Sequence, residues 1–340
     1  MSPLVSAGTQ FSSPRFQGLA IDGGGFRGLF AAKCIAAWEK ETGRRTADCF
    51  DFITGTSTGG IIALALGLRI PADEIVSFYL EDGLSLFPTG PFARKFASAR
   101  RWVWPKLSSR ALRTAVQRRL SSDAKLGDCS TRVVIPAFEL GVLKPYLFKT
   151  DHHPLYQTDW QRPAWEIAMS TSAAPTYYPF HQTSWGAAFA DGGLWANNPA
   201  LIGFIEATKV LGRSPGDVRI LNLGTGCPRN GAGRPPIRKK LGIVGWASDI
   251  SEVILDANAL ATAGAVELLL GENFVRIAPA VGSDCLPLDS YEPGKLVALA
   301  EDLARFHSGV AHDFYGHTAP PYVKQRRSLA PSPVNLTTNA

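Results

Sequence analysis

The sequence predicts an α/β protein, a three-layer α/β/α fold around a mostly parallel central sheet. Three observations predict it. Short apolar runs of β character alternate with stretches of helical spacing from Phe16 to Leu223, the order that builds parallel sheets covered on both faces. Two strand-to-helix joints carry glycine clusters, Gly23–Gly25 and Gly55–Gly60. Hydrophobic residues make up 45% of the 340 and charged ones 19%, enough apolar material for a sizeable core and too much for a disordered chain.

The elements follow in order. Phe16–Ile21 reads as a strand, with a glycine turn and then a helix from about Gly28 to Glu41. Cys49–Thr54 reads as the next strand and Thr58–Leu68 as its helix. Asp73–Glu81 and Ser109–Leu120 have helical spacing, whereas Thr131–Leu140 and Pro145–Thr150 alternate as strands do. Ala164–Ser172 is a helix stopped by Pro175, Ala187–Ala190 a short strand, Ala200–Leu211 a helix and Val218–Leu223 a further strand. No repeat and no linker divides the chain. The expectation is one domain over residues 16–325 with mobile termini at 1–15 and 328–340, and a basic, aromatic-rich insertion at about 83–125.

The first residues lack a basic, then apolar, secretory pattern, so no signal peptide is expected. The apolar run Ile61–Leu68 falls well short of the roughly 18 residues that cross a bilayer, and no spanning segment is expected. Cys34, Cys49, Cys129, Cys227 and Cys285 are odd in number, scattered and never spaced C-x-x-C. That pattern disfavours a disulfide framework and a zinc knuckle and points to a reducing cytoplasm.

The net charge of +6 is unevenly placed. Gly83–Ser122 holds no acid but carries Arg94, Lys95, Arg100, Arg101, Lys106, Arg110, Arg113, Arg118 and Arg119, interleaved with Phe92, Phe96, Trp102 and Trp104. Val218–Ser248 is likewise acid-free, with Arg219, Arg229, Arg234, Arg238, Lys239 and Lys240. Either stretch is a solvated basic face or a surface for anions such as phospholipid headgroups or nucleotides.

Three short motifs carry chemistry. Gly55-Thr-Ser-Thr-Gly59 follows an apolar strand and opens a helix, the context of a nucleophile elbow that lifts the Ser57 hydroxyl out of the sheet edge. The helix N-terminus behind it favours an anionic intermediate. Upstream, Asp22-Gly-Gly-Gly-Phe-Arg-Gly28 offers consecutive backbone N–H groups in a concave nest suited to an oxyanion or a phosphate, with Arg27 beside them. It has neither the spacing of a dinucleotide fingerprint nor the Lys-Ser/Thr of a P-loop. Downstream, Asp191-Gly-Gly193 is either a plain turn or a carboxylate brought to the mouth of the sheet, where it accepts the serine proton.

In that order the three motifs resemble the signatures of the patatin-like phospholipase family. Ser172-Ala-Ala-Pro175, Asn197-Asn-Pro199 and Leu223-Gly-Thr-Gly226 add to a resemblance that covers about residues 16–226. It implies a Ser57 nucleophile and an Asp191 base acting as a dyad, and an oxyanion hole of Gly23, Gly24, Gly25 and Arg27. It also implies hydrolysis of acyl esters in membrane phospholipid without metal or organic cofactor. General texture, including Phe26–Phe30 and Phe78–Glu81, is similar to the phospholipase effectors of bacterial antiphage signalling. That narrower resemblance implies a cyclic dinucleotide activator, for which the basic stretch after Gly226 is the candidate site, and action at the inner membrane surface. No nucleic-acid partner is expected, and the sequence leaves the oligomeric state, homo-oligomer included, open.

Two other readings remain at this stage. A His-dependent esterase would place His307 or His312 as base. A non-catalytic nucleotide- or membrane-binding regulator would use the glycine nest as a phosphate cradle. Of the other histidines, His152 and His153 sit beside Asp151 without a recognisable further ligand, and His181 and His317 are isolated; no metal site is expected.

Overall fold

The computed structural model describes residues 15–87, 107–228, 250–281 and 291–325. The chain opens with β1 (Phe16–Ile21), α1 (Gly28–Thr42), α2 (Thr46–Cys49), β2 (Phe52–Gly55), α3 (Thr58–Gly67), α4 (Ala72–Ser77) and α5 (Gly83–Leu86). Next among the described residues come α6 (Ser109–Leu120), β3 (Arg132–Glu139), β4 (Lys144–Lys149), α7 (Ala164–Thr171), β5 (His181–Gln182) and β6 (Ala188–Asp191). Then follow α8 (Gly193–Ala196), α9 (Ala200–Ile205), β7 (Val218–Leu223), β8 (Cys227–Pro228), α10 (Ile250–Leu270), β9 (Phe274–Ile277) and β10 (Ala280–Val281). The last two helices are α11 (Pro293–Phe306) and α12 (Ser308–Tyr315).

The main sheet runs β5-β6-β3-β2-β1-β7-β9, with β4 also paired to β3. From β3 to β9 every neighbour is parallel, as expected. On the far side β4 and β6 run antiparallel to β3, so the sheet is mixed there. Alternation along β1 divides the core. Phe16 and Ala20 face one layer with Phe52, Val218 and Ile220, covered by α9 and by Val266 and Leu270 of α10. Leu19 and Ile21 face the other, covered by α1, α3 and α7 together with Leu296 and Ala300 of α11. Trp38 Nε1 of α1 donates to the Ala304 carbonyl at 3.1 Å, fastening α11 to the sheet-covering layer.

Three sequence expectations change here. The strand expected from Cys49 begins at Phe52, because Thr46–Cys49 turns as a helix capped from afar: Glu39 Oε1 accepts the Thr46 N–H and its hydroxyl, each at 2.8 Å. Among the helices of residues 250–315, only a helical stretch around His307 is expected from the sequence. Among them, Glu252–Asn273 is long and apolar enough to cross a membrane by length and composition, with mean hydropathy 1.6. Acidic and amide residues interrupt its apolar run, yet alanines and leucines keep the average high. Four of its residues, Ala259, Ala263, Val266 and Leu270, are buried at helical spacing.

The basic stretches also change meaning. Arg119 pairs with Glu81 at 2.6 Å and with Asp82 at 3.2 Å, and Arg118 pairs with Asp82. The acids that answer these arginines lie just upstream of the acid-free window. Arg219 pairs with Asp313 at 2.7 Å. Phe92, Arg94, Lys95, Phe96, Arg100, Arg101, Trp102, Trp104 and Lys106 lie outside the described residues, as do Arg229, Arg234, Arg238, Lys239, Lys240 and nearly all of both termini. Cys34, Cys49 and Cys129 are buried free thiols, pushed up to about 12, 11 and 12 by burial and so held as thiols.

Candidate active site

Ser57 stands between the end of β2 and the start of α3, with φ 54 and ψ −122, a backbone conformation that L-residues avoid. The flanking glycines make the turn sterically possible. A Cβ on Gly55 would sit 2.0 Å from the Gly59 carbonyl oxygen, and one on Gly59 would sit 2.2 Å from that of Ile21. The elbow is braced from α7: the Ser57 N–H donates to Thr171 Oγ1 at 3.0 Å, and that hydroxyl donates to the Pro136 carbonyl at 2.6 Å.

Asp191 ends β6, two strands away across β3, and is 2% exposed. Its carboxylate accepts the Gly193 N–H at 2.6 Å, and the Ser57 hydroxyl is near enough to favour its ionised form. Burial pushes its pKa up to about 7, while those two donors pull it down. The end of α7 and the residues after it hold it in place. The Asp191 N–H donates to the Ala173 carbonyl at 3.0 Å, and the Gly192 N–H donates to that of Thr171 at 3.3 Å. Thr171–Ala173 therefore secures the serine and the carboxylate together. The sequence did not single out Thr171; its signal is its place immediately before Ser172-Ala-Ala-Pro175.

Ser57 and Asp191 open on a cavity walled mostly by apolar side chains, among them Ile61, Phe78, Leu86, Phe87, Leu112 and Leu255. Gly24 and Gly25 line it as well. Gly25 has φ +56 and starts a single 3-10 turn that runs into α1. None of the backbone hydrogen bonds among the described residues uses the N–H of Gly24 or Gly25.

The other two members of the expected oxyanion hole are placed differently. Gly23 spends its N–H on the Asn197 carbonyl at 2.9 Å. Arg27 is 4% exposed and turns its guanidinium to the carbonyls of Gly226 at 3.2 Å and Gly24 at 3.4 Å. Both shape the loop from behind and neither lines the cavity. Asp22 is buried behind the loop, paired with Arg276 at 2.7 Å and accepting from Asn222 Nδ2 at 2.8 Å.

All six histidines are among the described residues, and none lines the cavity that holds Ser57. His152 bridges Thr150 and Glu206, His312 meets Glu41 and His317 meets Asp51. His307 is the joint between α11 and α12, and His153 Nδ1 accepts the N–H of Leu155 at 3.3 Å. His181 lies 3.9 Å from Glu166. The late-histidine esterase therefore has no base at the serine. No cluster of three or more metal-ligating side chains occurs among the described residues.

A family model described as patatin-like phospholipase matches residues 19–204 of this chain. A curated Pseudomonas aeruginosa protein named "cGAMP-activated phospholipase" is 32% identical over 290 residues, covering 83% of this chain and 84% of that one. Proteins of the same name from Escherichia coli and Vibrio cholerae are 37% and 36% identical over 224 residues. Those alignments cover 62% of this chain and 62% of the former, and 61% of this chain and 63% of the latter.

Proposed function

This chain belongs to the patatin-like phospholipase family, and from that premise we propose that it cleaves fatty-acyl esters of membrane phospholipids through a Ser57–Asp191 dyad. Asp191 takes the proton as Ser57 Oγ attacks the ester carbonyl, and the tetrahedral oxyanion gathers the N–H groups of Gly24 and Gly25. The proton returns from Asp191 to the leaving alcohol, an acyl-serine remains, and Asp191 then activates the water that releases the fatty acid. The observation that carries the reading is the half-buried Ser57 and the buried Asp191 carboxylate on one largely apolar cavity, the carboxylate's pKa raised to about 7. A base must accept and return a proton in one cycle, and a pKa near the working pH suits both steps.

The names of the three relatives support a second, finer part of the proposal: a cyclic GMP–AMP-type dinucleotide switches the enzyme on, at the cytoplasmic face of the membrane, in antiviral defence. A phospholipase active at all times would degrade its host's own bilayer, which gives such a gate a physical purpose.

Fatty-acid release from phospholipid vesicles, measured with and without cyclic GMP–AMP, tests both parts. The wild type is expected to respond to the nucleotide, and Ser57→Ala and Asp191→Ala to release nothing while retaining their fold. Full activity in Asp191→Ala would remove the dyad. Equal wild-type activity with and without a panel of cyclic dinucleotides would remove the switch.

A further inference from the structure

Two cavities meet at Ser172 and Tyr178. One holds Ser57; the other, of about 180 Å³, shares Leu112, Ser172 and Tyr178 with it. The linings differ in kind. The Ser57 side is largely apolar, whereas the second cavity gathers Ser109, Arg113, Ser172, His181 and Gln182.

Two polar atoms of this second lining are shut off from water without a hydrogen-bond partner: Ser172 Oγ and His181 Nε2, each on a residue 5% exposed. The nearest acid to His181 is Glu166, whose Oε2 lies 3.9 Å away, beyond hydrogen-bond reach, and accepts the Ser184 N–H at 2.8 Å. Leaving such groups unpaired costs free energy, which a ligand with acceptor atoms recovers. Arg113 supplies charge at the exposed rim. Its guanidinium lies 5.4 Å over the Trp165 ring, an arrangement that fixes the plane and leaves the N–H edge available.

Ser172, His181 and Arg113 bring a hydroxyl, an imidazole and a guanidinium to the lining of one space, a donor set that binds a phosphodiester once Ser172 and His181 turn their unpaired atoms into it. We propose that this cavity is a headgroup subsite, which takes the phosphodiester of a lipid whose acyl ester lies at Ser57. The inference rests on the phospholipase reading above and adds to it where the polar half of the substrate goes. Ser172, present in both linings, marks the junction between acyl and polar halves.

Two measurements test it. In the first, kcat/KM is compared for a phosphatidylcholine and for the diacylglycerol with the same acyl chains, with cyclic GMP–AMP present. Arg113→Gln and His181→Gln are expected to lower the phospholipid-to-diacylglycerol ratio about tenfold, mostly through KM, which is the scale of one charge-assisted hydrogen bond. Arg113→Lys should recover part of the loss. Arg110→Gln, an exposed change on the same helix outside the cavity, should keep the wild-type ratio. Because Arg113 is exposed, its variant decides the matter even where His181→Gln is unstable.

The second measurement needs no turnover: calorimetric binding of glycerophosphocholine, which has the phosphodiester and no acyl chain, to Ser57→Ala protein. Binding that disappears on adding Arg113→Gln supports the subsite. No binding, an unchanged substrate ratio, or inorganic phosphate competing as well as glycerophosphocholine would overturn it. Glycerophosphocholine binding by a wild-type protein that hydrolyses neither lipid, with cyclic GMP–AMP present, would overturn the catalytic reading and leave the subsite standing.

Discussion

Replacing Asp191 with asparagine should make the protein more stable at alkaline pH while abolishing hydrolysis. In the folded chain the carboxyl titrates at about 7 because it is buried; unfolded, it returns to the ordinary value of 3.8. Below pH 4 both states hold the proton and burial costs nothing extra. Between 4 and 7 the unfolded chain gives up its proton while the folded one retains it, so stability falls as pH rises, by up to about 1.4 kcal/mol per pH unit. Above 7 both are ionised and the loss is complete, about 4 kcal/mol for a gap of about three pH units. Asparagine carries no such cost, and its Oδ1 can still accept the Gly193 N–H that Asp191 accepts. Urea unfolding of wild type and Asp191→Asn at pH 5 and pH 8 isolates the effect, since every other titrating group is common to both proteins. The variant's advantage should grow between the two pH values. An advantage of the same size at both would refute the argument that this carboxylate is ionised at the expense of the fold. Wild-type hydrolysis should correspondingly climb about tenfold per pH unit below 7 and level off above it, because only the ionised form accepts the serine proton.

Ser57→Gly should abolish hydrolysis yet raise stability by about 1 kcal/mol, because glycine adopts φ 54, ψ −122 without strain; a loss of stability in thermal unfolding would contradict the strained elbow. Thr171→Val deletes the acceptor of the Ser57 N–H and should destabilise by about 1–3 kcal/mol, lowering kcat more than it raises KM. Equal effects on both constants would mean that the brace merely supports binding. Arg27→Ala should lower kcat through displacement of the glycine loop, and Arg27→Lys, which keeps the charge and cannot span both carbonyls, should recover little. Full recovery by lysine would return Arg27 to a purely electrostatic role.

What could be read from the sequence divides along the range of the interactions involved. Phe16–Ile21 and Val218–Leu223 were legible to the residue, because strands buried on both faces are mostly apolar and end at glycine or at a turn. Ser109–Leu120 was equally clear from its period. The turn at Thr46–Cys49 was hidden because its cap, Glu39, belongs to the preceding helix. The helix at Ile250–Leu270 was hidden because two of its four core residues are alanines, which carry little periodic contrast. At the site, the identities of Ser57 and Asp191 followed from local motifs. Which way the amide of Gly23 and the side chain of Arg27 turn did not follow, because Asn197 and Gly226 decide it from more than 170 positions away. Thr171 was invisible for the complementary reason: a threonine at a helix end has many uses, and only the fold brings it under the serine.

The strap at Thr171–Ala173 has a mechanical consequence. Ser57 and Asp191 arrive on separate strands, yet both are tied to the same three residues, so a displacement of the strap carries them along as a pair and preserves their spacing. The loop meant to receive the oxyanion is moored elsewhere, to Asn197 through the Gly23 N–H and to Thr225, whose hydroxyl donates to the Gly23 carbonyl at 2.7 Å. In the proposed mechanism, proton transfer and oxyanion capture thus hang on separate fastenings. Slackening the mooring at Thr225 would leave a serine still able to surrender its proton, with nothing in register to hold the charge that forms next.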